Sequence, residues 1–154
     1  MSANKIKGQF SKILVAIDGS RTSMDAGEYA IEMARKDNAQ LIALTVNRLP
    51  LSSYGITTPQ DESEYLKEKE DVNESELYLD NIRQNAKQKN VRIKTEIVSS
   101  QMSIEGAIVE YAESQGIDLI VIGTRGSSGL KKMLLGSVAS GIVTYATCSV
   151  MVVK

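Results

Sequence analysis

Histidine is absent from the 154 residues, and cysteine occurs once, at Cys148. The first absence removes histidine as general base, nucleophile or metal ligand. A lone cysteine builds neither a thiolate zinc site nor an internal disulfide. Ordinary triad chemistry is therefore not expected, while carboxylate or lysine bases stay open. A single unpaired cysteine suits a reducing compartment, so a cytoplasmic location is expected. No apolar run is long enough to span a bilayer, and residues 1–11 lack the apolar stretch of a signal peptide. A charge excess is missing too: 18 basic against 19 acidic residues leave a formal −1, with no global pull towards nucleic acid or anionic membrane.

What is present is the ordinary composition of one globular domain, 42% apolar and 24% charged. Residues 1–10 are expected to form a flexible tail, and 11–154 the domain. Short β-rich runs alternate with longer helical patterns. Lys12–Asp18 (KILVAID) and Gln40–Val46 (QLIALTV) are near-continuous apolar stretches, as strands buried on both faces of a parallel sheet require. Leu119–Ile122 and Val150–Val153 read the same way, and Val91–Val98 alternates as a half-exposed strand does. Helical spacing marks Met24–Lys36, Ile104–Ser114 with Ser103 as N-cap, and a small-residue helix Ser137–Ala146. The charged stretch Glu62–Lys89 carries Val72, Leu79 and Ala86 seven apart with Ile82 between the last two, a long helix with a narrow apolar stripe and a solvated outer face. Asn47–Gln60, which holds both prolines, is read as irregular and either mobile or functional.

The alternation predicts an α/β fold: one doubly wound, Rossmann-like parallel sheet of five strands, order 3-2-1-4-5, with helices on both faces. The order reverses between strands one and four, and ligands of open α/β sheets bind at the carboxyl ends of strands at such a reversal. Asp18 ends strand one and Gly123 follows strand four, so two cues meet there.

Gly123, Gly126, Gly136 and Ser137 form the spaced set G-x2-G-x9-G-S after the apolar run DLIVIG. Glycines let backbone approach a bulky anion, and Gly136-Ser137 opens a helix whose unpaired N–H groups favour negative charge. Ser137 is expected to donate to phosphate and to cap that helix. The plainer reading, that these glycines permit turns and close packing, stays beside it. Arg125 lies inside the turn, either on phosphate or merely exposed. Leu130, Met133, Leu134 and Leu135 read as an apolar flap. Asp18 is expected to accept from a ribose hydroxyl or an adenine amine, or else to cap the next helix, which Ser20, Thr22 or Ser23 would do equally. Val46, through its backbone, is placed to read an adenine edge, with Ala16, Ile17 and Ile122 as apolar walls; core packing alone also explains those side chains. Asp118 begins strand four at the opposite end of the sheet and is expected to be structural.

Together KILVAIDGS, DLIVIG and the glycine set resemble the universal stress protein family in its ATP-binding branch, over Lys12 to Lys154. The resemblance implies adenosine contacts from Asp18 and Val46, ribose and phosphate contacts from Gly123, Gly126, Gly136 and Ser137 with Val138 alongside, and magnesium or manganese held largely by the phosphates. Two departures stand out. Ala139 occupies a position that often carries a hydroxyl, an expected loss of about tenfold in ATP affinity. Cys148-Ser149 replaces a common proline before the last strand. That strand, apolar and at the sheet edge, is expected to pair with its copy in a homodimer, which the resemblance also implies. The expected function is a nucleotide-dependent regulatory or stress-response module. A slow Mg-dependent ATPase and a nucleotide-independent scaffold with an unknown protein partner are the alternatives.

Overall fold

Five parallel strands order themselves β3-β2-β1-β4-β5, the order read from the alternation of strand and helix patterns. The computed structural model describes residues 9–49, 61–124 and 135–154. Along the chain these run β1 (Lys12–Ala16), α1 (Arg21–Asp37), β2 (Gln40–Arg48), α2 (Asp61–Gln88), β3 (Ile93–Ser100), α3 (Ile104–Gln115), β4 (Leu119–Gly123), α4 (Ser137–Tyr145) and β5 (Ser149–Val153).

The continuous apolar runs became the central strands because both of their faces are covered. Ile13, Val15, Leu41, Ala43, Leu119 and Val121 pack against α1 and α2, where Ala26, Ala30, Ile31, Leu79, Ile82 and Ala86 complete one core. Leu14, Ile42, Leu44, Ile120 and Ile122 point the other way and meet Ile108, Ala112, Ala139 and Ile142. Each fully buried leucine or isoleucine contributes about 1.5–3 kcal/mol, so the two clusters carry the bulk of the favourable energy. Of the stripe foreseen on the charged helix, Leu79, Ile82 and Ala86 are closed to solvent, while Val72 is only half-buried and Ser75 is the buried residue one turn before Leu79.

Several boundaries move: α1 begins at Arg21 rather than Met24, and β3 runs Ile93–Ser100 rather than Val91–Val98. β1 stops at Ala16 rather than Asp18, because Gly19 takes a left-handed φ of 82° and turns the chain into α1. β2 continues past Val46 to Arg48, paired residue by residue with β3 as far as Arg48 and Ser100. This consumes the start of the stretch read as irregular; residues 50–60, with both prolines, lie outside the described residues, as do residues 1–8 of the expected tail. The last helix begins one residue after its N-cap, Gly136, which has no side chain to cap with; Ser137 is the first helical residue and not the cap. Ser103 caps α3 as expected, its hydroxyl accepting from the Gly106 N–H at 3.2 Å. No described helix is long and apolar enough to cross a membrane.

Candidate functional site

The carboxyl ends of β1 and β4 separate because their chains depart in different directions, and a cavity of about 270 Å³ opens between them. Ala16, Ile17, Asp18, Val46, Ile122, Gly123, Gly136, Ser137 and Val138 all line it, so the structure brings these sequence-predicted residues to one place. Arg125 and Gly126 lie outside the described residues, as do Leu130, Met133 and Leu134 of the expected flap. Ala139, the position where a hydroxyl was expected to be missing, lines the cavity too, and Leu44, Ile104, Ile108, Ser20 and Ser23, which were not foreseen as lining, do so as well. Ile104 and Ile108 stand one turn apart on α3. Their spacing marks an apolar face but does not say that its upper end meets a cavity rather than core.

The turn after β1 is wired by its own side chains. The Ser20 N–H donates to Asp18 Oδ1 at 2.8 Å, and the Asp18 N–H donates to Ser23 Oγ at 3.3 Å. Ser20 is the N-cap of α1, its Oγ accepting from the Ser23 N–H at 3.3 Å, while the Ser23 hydroxyl donates to Ser20 O at 2.9 Å. Of the three caps foreseen as substitutes for Asp18, Ser20 takes the position, and the exposed Asp18 carboxylate is left on the cavity wall. Deeper in, the Thr45 hydroxyl donates to Ile17 O at 2.8 Å and pins the end of β1 to β2.

Because β1 pairs only as far as Ala16 opposite Leu44, β2 then runs on without a strand on that side. The Leu44 carbonyl still accepts from Ile17 N–H at 2.9 Å. Peptide groups two residues apart along a strand face the same way, so those of Val46 turn towards the opening.

On the far wall, the Gly136 N–H donates to Thr124 O at 2.6 Å, which sets the start of α4 beside the end of β4. The first helical bond runs from Ser140 N–H to Gly136 O, and Gly136 offers no capping side chain. The N–H groups of Ser137, Val138 and Ala139 therefore belong to the unpaired first turn of a helix, and all three residues line the cavity. An anion placed there meets amide donors and the positive end of the helix dipole. Ala139 turns a methyl inward, and Ser140, one step on, is exposed and does not line the cavity.

Gly123 is the last residue of β4, opposite Val153, and its smallness has a local cause. A Cβ there would lie 2.6 Å from Thr22 Oγ1 and 2.7 Å from the Thr22 carbonyl carbon. The close approach of α1 to β4 thus requires this glycine whether or not a ligand binds. Asp118 is structural, as expected: its two oxygens accept from the Ser11 N–H at 2.9 Å and the Lys12 N–H at 3.0 Å. Among the described residues, no group of three acidic or sulfur side chains is placed to hold a metal ion.

The cavity thus has apolar walls, a lone carboxylate among its described lining residues, free strand-edge peptide groups and an uncapped helix start. Comparison with known proteins agrees along the chain's length. A universal stress protein of Methanocaldococcus jannaschii is 36% identical over 150 residues, covering 94% of this chain and 82% of that one. The structure of the universal stress protein UspA from Lactobacillus plantarum superposes with a TM-score of 0.85 at 26% identity, covering 95% of this chain and 99% of that one. A universal stress protein solved in complex with cAMP superposes with a TM-score of 0.66 at 25% identity, over 95% and 98% of the two chains. The model of the universal stress protein family matches residues 9–154, and with this architecture the chain belongs to that family.

Proposed function

We propose that this cavity binds an adenine nucleotide, with ATP as the physiological ligand, and that occupancy acts as a regulatory signal rather than as the start of fast turnover. The observation that carries the reading is the uncapped first turn of α4 facing Asp18, the one carboxylate among the described lining residues, across an apolar cavity. Phosphates sit against the amides of Ser137, Val138 and Ala139, with Gly136 allowing the approach. The base lies between Ile104, Ile108, Leu44 and Ile122, its edge read by the Val46 peptide groups. Asp18 accepts from the ribose. Arg125 and Gly126 are assigned to the phosphates on the sequence pattern. A divalent ion, magnesium or manganese, is held through the phosphates. The relative solved with cAMP supports the adenine nucleotide class.

The module works in the cytoplasm as a homodimer. β5 forms one edge of the sheet, and Val143 and Tyr145 on the neighbouring α4 are exposed, an apolar border that strand pairing with a second copy would cover. A sedimentation mass of one chain at micromolar concentration contradicts the dimer.

The nucleotide reading has a specific test in Ser137→Pro. Proline suits the first helical position, and the preceding Gly136, at φ −67° and ψ 165°, already has the backbone that a residue before proline adopts. The substitution therefore spares the fold while deleting one amide donor and one hydroxyl. Mg-ATP is expected to raise the melting temperature of the wild type, and much less that of the variant, since a ligand selective for the native form stabilises it. No shift for the wild type at millimolar Mg-ATP rejects the reading.

A further inference from the structure

The turn that presents Asp18 is pressed from outside the cavity. Gly19 has its left-handed φ of 82°, and a Cβ on it would lie 2.2, 2.4 and 2.8 Å from Cε2, Cζ and Cδ2 of Tyr78. The phenol ring therefore occupies the space a side chain at this position would need. It closes the back of the Asp18–Gly19–Ser20 turn while the cavity lies in front. Tyr78 is not among the cavity-lining residues, and it is carried by α2, next to the fully buried Leu79.

That helix is itself locked to α1. Ile82 Cδ1 approaches within 2.5 Å of where a Cβ of Gly27 would stand, so the two helices pack backbone to side chain. Beyond it, the Asn85 amide donates to Glu28 at 2.6 Å and the Lys89 ammonium to Glu32 at 2.6 Å. The ring is thus held by a rigid element against the one turn whose geometry sets where the cavity's carboxylate points. We propose that Tyr78 is a positioning residue for the site: its ring fixes the Asp18–Ser20 turn, and through it the affinity for nucleotide. This rests on the nucleotide reading for its binding consequence but not for its structural one.

The two are separable. In the protein without nucleotide, Tyr78→Leu is expected to speed amide exchange of Ser20, whose N–H donates to Asp18, by about tenfold, leaving Val15 and Val121 in the core unchanged. Tyr78→Phe, which keeps the ring, leaves Ser20 as in the wild type. With Mg-ATP, Tyr78→Leu is expected to weaken binding by about tenfold and Tyr78→Phe hardly at all, while Tyr78→Leu combined with Asp18→Asn binds no more weakly than Asp18→Asn alone. The ring resonances of Tyr78 in the wild type are expected to shift on saturation, although the ring does not line the cavity. Unchanged Ser20 exchange in Tyr78→Leu, losses that simply add, or ring resonances that stay put on saturation overturn the proposal. A wild type that binds no nucleotide, with Ser20 exchange still faster in Tyr78→Leu, overturns the nucleotide reading and leaves the positioning role standing.

Discussion

Two aspartates flank central strands at opposite ends of the same sheet, and they have opposite fates. Asp118 precedes β4 at the amino end, where both of its oxygens are taken up by the Ser11 and Lys12 N–H groups, tying the start of β1 to the start of β4. Asp18 follows β1 at the carboxyl end. There one oxygen accepts the Ser20 N–H of its own turn and the carboxylate remains on a cavity wall. The carboxyl ends, at a reversal of strand order, are splayed by helices leaving in different directions. The same side chain therefore becomes a brace at one end and part of a cavity wall at the other.

This contrast can be broken most forcefully at Gly123, which both packs against Thr22 and lines the cavity. Gly123→Val drives a Cβ into the Thr22 backbone, and the resulting overpacking is expected to cost about 2–3 kcal/mol in a urea melt. Loss of binding in that variant would therefore say nothing specific about phosphate, which is why Ser137→Pro is the sharper probe. Asp118→Ala is expected to cost about 2 kcal/mol of stability, because two backbone donors lose a charged acceptor, while nucleotide affinity stays within error by calorimetry. Asp18→Asn is expected to do the reverse: affinity falls roughly tenfold and the melting temperature without ligand barely moves. If both aspartates cost stability equally and neither touches binding, the distinction drawn between the two ends is wrong.

The smallest effect is pH dependence at the far edge of the sheet. Burial, and then the bond to Glu96, pushes the Tyr111 phenol above its ordinary value of 10.0. The same bond, in which the Tyr111 hydroxyl donates, holds Glu96 below its ordinary 4.5. A raised folded value gives stability that is fully present below pH 10.0 and is lost as pH climbs from there through the raised folded value; a lowered one gives stability present above pH 4.5 and lost as pH falls through the lowered folded value. Tyr111→Phe is expected to flatten both limbs of the stability profile. At neutral pH it costs only about 0.5 kcal/mol, because Glu96 is partly exposed and screened by water. An alkaline limb unchanged in Tyr111→Phe assigns that limb to other groups.

The strand order and the direction of the cleft were legible because periodicity and chain order constrain them: strands buried on two faces must be apolar throughout, and parallel strands need helical crossovers. Asp18, Val46, Gly136 and Ser137 could be placed on the cleft because each reads, in the local pattern, as the close of an apolar run or the start of a helix, although β1 itself stops at Ala16 and β2 runs on to Arg48. Gly123 was legible as important, but its reason was not, since the Thr22 backbone that excludes a Cβ comes from another element. Ile104 and Ile108 were legible as a helical face only. Nothing in α2 announced Tyr78, because its partner Gly19 is remote in the chain and the contact depends on how α2 leans on α1.

By itself, then, the amino-acid sequence determined which segments are strands, how they are ordered, and which end of the sheet must open, because these follow from local patterns of apolar residues and from chain connectivity. Which neighbours enclose that opening, which glycine is small for packing and which turn is braced from behind were decided only by the tertiary structure. Those outcomes depend on distances between elements that no local pattern encodes.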